Sequence, residues 1–114
     1  MHTRLNYLLV VTLFTLQAPL AFAADGSVTI TSPSDGAKLS RSAATTVTYE
    51  VTPGTKGDHV HLYVDNGEAS VLRQLNGSHT LNKLAPGMHD ICIKVVNKAH
   101  APTGAEKCIK VNAE

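Results

Sequence analysis

In the segment HVHLYVD, residues 59–65, polar and aliphatic side chains alternate, and this stretch decides the fold. Successive side chains of a β-strand point to opposite faces, so the three aliphatic residues share one face while His59 and His61 share the other. This alternation predicts a half-buried strand. The histidine face raises a functional question, because imidazole is the commonest metal ligand among protein side chains.

The remainder of the chain repeats this alternation in short runs separated by Gly, Pro, Asn and Asp, and it has no helical period. About seven such runs in a domain of this length predict an all-β fold, an antiparallel immunoglobulin-like (Ig-like) β-sandwich of about seven strands. The predicted core consists of the aliphatic residues of these runs: Val28, Ile30, Val47, Val51, Val60, Leu62, Val64, Val71, Leu72, Leu75, Ile91, Ile93, Val95, Ile109 and Val111.

Residues 1–23 have the features of a secretory signal peptide. Arg4 supplies a positive charge, residues 8–16 form a short apolar run, and residues 21–23 (Ala-Phe-Ala) form a small-x-small cleavage site. The apolar run is too short for a comfortable membrane-spanning helix. We therefore expect a cleaved signal peptide, a single domain at residues 24–114, and a periplasmic or secreted protein without a membrane anchor.

Charge and composition argue against several classes of partner. Removing Arg4 from the ten Lys and Arg residues leaves nine basic side chains against nine acidic ones. A neutral chain without a basic block is not expected to bind nucleic acid or an anionic membrane. Aromatic residues make up only 4% of the chain, which argues against a stacking platform for single strands or sugars. The remaining candidates are a metal ion and an envelope protein.

The two cysteines, Cys92 and Cys108, are predicted to pair. Two cysteines in an exported protein usually form a disulfide. Both lie on predicted neighbouring strands of one hairpin, at equal distances from a turn centred near His100. The alternative is a pair of free thiols that bind copper as soft ligands.

Four histidines are the candidate metal ligands: His59, His61, His89 and His100. The first two leave the same face of one strand, which is predicted to be the outer face, and they can share one ion. A third ligand must then come from elsewhere. His89 is predicted to point to the same face of its strand as Ile91 and Ile93, which are expected in the core. A structural role at the edge of the sandwich is therefore an alternative for His89. His100 lies in a loop. These two residues are expected near opposite ends of one strand.

Two acidic residues flank the histidine strand. Asp58 and Asp65 are candidates either for a carboxylate ligand or for orienting an imidazole from behind. His79 belongs to a different predicted strand and is expected at the surface.

Three segments resemble a known group of proteins. They are residues 57–65, the Pro-Gly-Met-His segment at 86–89, and the segment NKAHAP at 97–102. On these segments the chain is similar to the small exported bacterial proteins grouped as DUF4399-like. Residues 32–37 resemble the opening of many bacterial Ig-like domains. The resemblance implies export and an Ig-like fold, and it implies no activity. This chain differs from the group at residues 59–61, where relatives tend to carry consecutive histidines. It also has a cysteine pair that is not part of the group's motif.

These observations favour an exported metal-binding protein, with Cu(II) as the first candidate and Zn(II) as the second. Its role would be sequestration or delivery of the ion. The alternative is a non-catalytic Ig-like interaction module of the cell envelope in which the histidines are incidental. No Gly-x-Ser-x-Gly or HExxH motif is present, so we expect no enzymatic activity.

Overall fold

The structure is a computed structural model that describes residues 25–114. The predicted signal peptide at residues 1–23 lies outside the described residues. The strands are β1 (Ser27–Ser32), β2 (Lys38–Leu39), β3 (Thr45–Thr52), β4 (His59–Val64), β5 (Gly67–Leu72), β6 (Asn76–Leu81), β7 (Gly87–Val96) and β8 (Pro102–Ala113). No helix in this described part is long and apolar enough to cross a membrane.

The strands form two sheets that pack as a sandwich, which confirms the predicted all-β Ig-like fold. One sheet has the order β1-β3-β6, and the other has the order β2-β8-β7-β4-β5. The prediction of about seven antiparallel strands omitted β2. This two-residue strand pairs in parallel with the end of β8, where Lys38 lies opposite Asn112. It is too short to show an alternating pattern in the sequence.

The core lies between the two sheets and is built largely from the predicted alternating residues. The prediction was wrong for Val71, which is 43% exposed on β5. On β4, Val60 and Leu62 are fully buried, and they lie opposite Val95 and Ile93 of β7. Burying an aliphatic side chain of this size contributes about 1.5–3 kcal/mol relative to leaving it exposed. The core of buried residues consists of Val47, Tyr49, Val51, Val60, Leu62, Leu72, Leu81, Ile91, Ile93, Val95, Ala105, Ile109 and Val111.

Tyr49 is the buried aromatic residue of this core. Its hydroxyl donates a hydrogen bond of 2.9 Å to the carbonyl of Gln74, so the polar end of the side chain has a partner. Burial raises the pKa of this phenol above its ordinary value, because the charged form would lose hydration.

A tight hairpin joins β4 to β5. Its central residues, Asp65 and Asn66, have φ values of 51° and 67°. Two successive positive φ values are typical of a type I′ turn, whose twist matches that of the flanking strands. Gly67 is the first residue of β5 and lies opposite Val64. The register set by this turn places Glu68 opposite Tyr63 on the outer face.

Cys92 and Cys108 lie opposite each other on β7 and β8 and form a disulfide, with their Cα atoms 4.1 Å apart. The predicted pairing is therefore present in the structure, and neither cysteine is a free thiol. The bridge is on the outer face of the five-stranded sheet, beside Tyr63, which is the β4 residue opposite Cys92.

The prediction of surface histidines on the outer face was wrong for two of them. His59 and His61 do leave the face of β4 opposite the core, but their exposed fractions are only 1% and 3%. The reason is that β4 lies between β5 and β7, and the loop that follows β7 brings His100 over this part of the sheet. Alternation alone identifies the outer face but not what covers it.

Removing the disulfide is expected to lower the stability of the domain. The bridge closes a loop with a sequence separation of 16 residues. A loop of this size corresponds to about 3 kcal/mol of stabilisation in the chain-entropy model. We expect the Cys92→Ala/Cys108→Ala double variant to lose about this free energy of unfolding in urea denaturation. Reduction of the wild-type protein should reproduce the loss, and a variant as stable as the oxidised protein would contradict the expectation.

Candidate metal centre

Two ligands of the candidate centre come from one strand. His59 and His61 are two residues apart on β4, so both imidazoles leave the same face. Their Nε2 atoms are 3.0 Å apart. Both rings are buried, and His59 and His61 are the only buried polar residues among residues 25–114.

The third member comes from the loop between β7 and β8. The Asn97 side chain holds this loop by accepting hydrogen bonds from the backbone N–H groups of Ala99 (2.9 Å) and Ala101 (3.0 Å). The backbone N–H of His100 also donates to the Asn97 carbonyl. As a result, His100 Nδ1 lies 3.2 Å from His59 Nε2 and 3.0 Å from His61 Nε2.

His100 adopts a backbone conformation that is uncommon for its residue type. Its φ is 63°, in the left-handed region that favours glycine. A residue with a Cβ atom in this region costs about 1–2 kcal/mol. The structure thus holds a histidine, rather than a glycine, at a tight turn where its ring reaches the other two imidazoles. Backbone strain of this kind is characteristic of functional positions.

The separations among the three nitrogens match those in a shared coordination sphere. With metal–nitrogen bonds of about 2.05 Å, donors 3.0 and 3.2 Å apart subtend angles of about 94° and 103° at the metal. These angles lie between the 90° of tetragonal sites and the tetrahedral angle. Among the described residues, this is the group of His, Cys, Asp and Glu side chains placed to hold an ion.

Outer partners orient two of the imidazoles. His59 Nδ1–H donates to Asp58 Oδ2 at 2.9 Å, because the carboxylate can only accept. His61 Nδ1 lies 3.5 Å from the Tyr63 hydroxyl and 3.7 Å from Glu68 Oε1. The proton on His59 Nδ1 leaves a lone pair on its Nε2, and a proton on His61 Nδ1 would leave a second lone pair on the Nε2 that faces it. Carboxylate–histidine pairs of this kind fix the ring orientation in metal sites.

The facing lone pairs favour a cation between the rings. Two nitrogen lone pairs 3.0 Å apart repel each other unless a proton or a metal ion lies between them. One proton on His100 Nδ1 can be directed at only one of the two Nε2 atoms. A metal ion at the centre satisfies all three nitrogens at once.

Burial also favours the neutral form of His61, which is the form that can bind a metal. Burial lowers the pKa of His61 below its ordinary value; Glu68 opposes this shift, and His59 and His100 add to it. A neutral imidazole retains the lone pair that a metal needs, whereas an imidazolium does not.

The structure does not bring His89 to this cluster. His89 lies near the start of β7, whereas His100 follows the end of that strand, as the sequence led us to expect. Both of its ring nitrogens face acceptors: Nδ1 lies 2.6 Å from Asp65 Oδ2, and Nε2 lies 2.6 Å from the Ala85 carbonyl. With both nitrogens donating, the ring is an imidazolium without a free lone pair. His79 also lies apart, with Nε2 2.9 Å from the Ser70 hydroxyl.

Each of the two flanking carboxylates contacts the Nδ1 of a histidine: Asp58 contacts His59, and Asp65 contacts His89. Both therefore orient an imidazole. Sequence reasoning missed Glu68 and Tyr63 as neighbours of His61. The register of the β4–β5 hairpin was the signal that could have found them, because Glu68 lies opposite Tyr63.

A family model described as a bacterial Ig domain matches residues 27–93, which is more than half of the chain. The chain belongs to the bacterial Ig domain family. No curated protein matches it at a significant level.

Two solved structures share the fold of this bacterial Ig domain. The first is from the fibronectin(III)-like modules of Clostridium thermocellum CbhA, with a TM-score of 0.65, 16% identity, and coverage of 76% of this chain and 96% of that chain. The second is a Jonesia denitrificans lytic polysaccharide monooxygenase, with a TM-score of 0.51, 18% identity, and coverage of 72% and 60%. At these identities the likeness shows the fold alone. Ig-like and fibronectin-like domains are generally non-catalytic.

The His89–Asp65 pair is expected to make stability depend on pH. The Asp65 carboxylate, followed by the Ala85 carbonyl, raises the pKa of His89, and His89 lowers the pKa of Asp65. The contribution of His89 is therefore complete below about pH 6.5 and lost as pH rises through its raised pKa, whereas that of Asp65 is lost as pH falls below about 4. Asp65 is half exposed, so solvent screening limits the effect to under about 1 kcal/mol.

The measurement is the free energy of unfolding of wild type and His89→Gln in urea at pH 5.5 and pH 9. Wild type should exceed the variant by more at pH 5.5, and taking this difference cancels the titration of the other histidines. A gap that is equal at both values, or wider at pH 9, would show that the pair is not an imidazolium–carboxylate contact.

Proposed function

We propose that this bacterial Ig domain is an exported binding protein for a divalent transition metal, with Cu(II) first and Zn(II) second. His59, His61 and His100 are the proposed ligands. The observation that carries the proposal is the convergence of three imidazole nitrogens at 3.0–3.2 Å, with the His59 ring held from behind by Asp58.

The donor set favours copper over zinc. Three neutral nitrogens suit both ions, but nitrogen sites bind Cu(II) more tightly than Zn(II) in the general affinity order of divalent metals. The nitrogen–metal–nitrogen angles, close to 100° for bonds of about 2.05 Å, are also acceptable to tetragonal Cu(II). Selection in the cell then depends on which ion the compartment supplies.

The proposed location is the periplasm or the medium, since the signal-peptide pattern at residues 1–23 and the disulfide both suit an oxidising compartment. The proposed role is sequestration or delivery of the ion, and membership of the DUF4399-like group is part of this proposal. The exposed ligand is His100, so an ion held here can be released by ligand exchange at the surface.

The second candidate is a non-catalytic interaction module of the envelope with incidental histidines. Membership of the bacterial Ig domain family favours it, because this sandwich serves widely as a binding scaffold. The two functions differ in their dependence on metal. Capture of an envelope protein that survives both EDTA and the His59→Gln/His61→Gln variant would favour the second.

Copper titration of the purified protein tests the metal proposal. We expect one Cu(II) per chain by calorimetry, with nitrogen hyperfine structure in the electron paramagnetic resonance spectrum. Asp58→Ala removes the outer partner of His59 and should weaken affinity by about 10- to 100-fold. His100→Ala and His61→Gln remove ligands and should weaken it further.

His89→Gln and His79→Gln are matched controls, because they remove histidines that lie apart from the cluster. Both should bind copper as wild type does. His100 is exposed, so its substitution tests the site without disturbing the core, and circular dichroism verifies that each variant is folded. Unchanged copper affinity in folded His100→Ala, or a loss in His89→Gln as large as in His61→Gln, would refute this ligand set.

A further inference from the structure

The three nitrogens of the proposed metal site lie on one side of any ion they share. A circle through atoms 3.0, 3.0 and 3.2 Å apart has a radius of about 1.8 Å, which is shorter than a metal–nitrogen bond of about 2.0–2.1 Å. The ion must therefore sit about 1 Å outside the plane of the nitrogens. At least one coordination position then remains on the far side of the ion.

No protein side chain among residues 25–114 is placed to fill that position as a His, Cys, Asp or Glu ligand, since the group contains three members. The two nearby carboxylates are behind the imidazoles. Asp58 contacts the outer nitrogen of His59, and Glu68 faces the outer nitrogen of His61. Metal sites that bind exogenous ligands commonly have three protein ligands and one open position, whereas structural sites are closed by four.

A groove of about 470 Å³ lies between the two loops beside the cluster, and it is lined by residues next to the histidines in the chain. The loop that precedes β4 forms one wall and the loop that carries His100 forms the other. Its lining includes Asp58, which precedes His59, and Ala99, which precedes His100. This volume is within the usual range for small-molecule sites, about 300–1,000 Å³. It is therefore large enough for an organic ligand.

The charges around the groove favour an anion. Lys56 and Lys98 line it from opposite loops, and Arg73 lies 4.0 Å from Asp58. Neutral imidazoles leave the two positive charges of a divalent ion uncompensated, and the three cations outnumber the two nearby carboxylates, Asp58 and Glu68. A carboxylate oxygen is also an acceptable ligand for Cu(II) and Zn(II).

We infer that the open coordination position binds an exogenous carboxylate, which Lys56 and Lys98, on the two loops beside the cluster, attract toward the metal. This inference rests on the proposed function. The carboxylate belongs either to a small organic acid or to a side chain of another protein molecule, and the chemistry at the metal is the same in both cases.

The experiment titrates acetate into the Cu(II)-loaded protein and follows the visible absorption and paramagnetic resonance spectra of the copper. Acetamide, the neutral analogue of acetate, is the matched control. Acetate should change both spectra with saturation while copper stays bound, and acetamide should change neither. Size-exclusion chromatography identifies the source: a monomer that binds acetate indicates a free acid, whereas a copper-dependent dimer that acetate dissociates indicates a side chain of a second copy.

The lysines are tested by the Lys56→Gln/Lys98→Gln variant. Exposed ion pairs contribute about 0.2–1 kcal/mol each, so acetate affinity should fall by roughly two- to thirty-fold. Raising the salt concentration should reduce the difference from wild type. The control is Lys38→Gln/Lys110→Gln, because both residues lie toward the end of β8 that is remote from His100. This control should bind acetate as wild type does.

Copper bound at one per chain with spectra that do not respond to acetate would overturn the inference and leave the proposed function standing. An equal response to acetamide, or equal acetate affinity in the two lysine variants, would likewise overturn it. Failure of both Cu(II) and Zn(II) to bind would overturn both proposals, so the two failures are distinguishable.

Discussion

The alternation of side chains along β4 is the constraint on which the rest of the molecule depends. One face of the strand supplies Val60 and Leu62 to the core, and the other supplies His59 and His61 to the candidate centre. A one-residue shift of register would exchange these faces and place imidazoles in the apolar core. Hydrophobic burial on one face therefore fixes the direction of both histidines on the other.

The candidate centre is assembled from parts with different rigidity. His59 and His61 are fixed by a strand that is paired on both sides, by β5 and β7. His100 is fixed by a short loop that Asn97 holds through two hydrogen bonds. Two rigid donors and one exposed donor suit a site from which an ion can leave, because the exposed donor can be displaced without disrupting the sheet. The disulfide joins β7, the strand next to β4, to β8 and stabilises the hairpin that carries this loop.

Much of the fold and part of the centre could be predicted from the sequence. Period-two alternation is a local property, so the core strands, the shared face of His59 and His61, and the pairing of Cys92 with Cys108 could each be read from short segments. The two-residue β2 was missed, because its partner is the distant end of β8. Glu68 was missed because its position depends on the pairing register of a hairpin.

By itself the sequence determined that this chain is an Ig-like sandwich with two histidines on one face of a strand, since apolar alternation specifies which residues can be buried together. Only the tertiary structure decided that both are buried, and that His100 rather than His89 joins them. Those outcomes depend on the path of a loop through a left-handed residue, and on acceptors at Asp65 and Ala85 that hold both nitrogens of His89. Such contacts join residues far apart in the chain, and no local pattern encodes them.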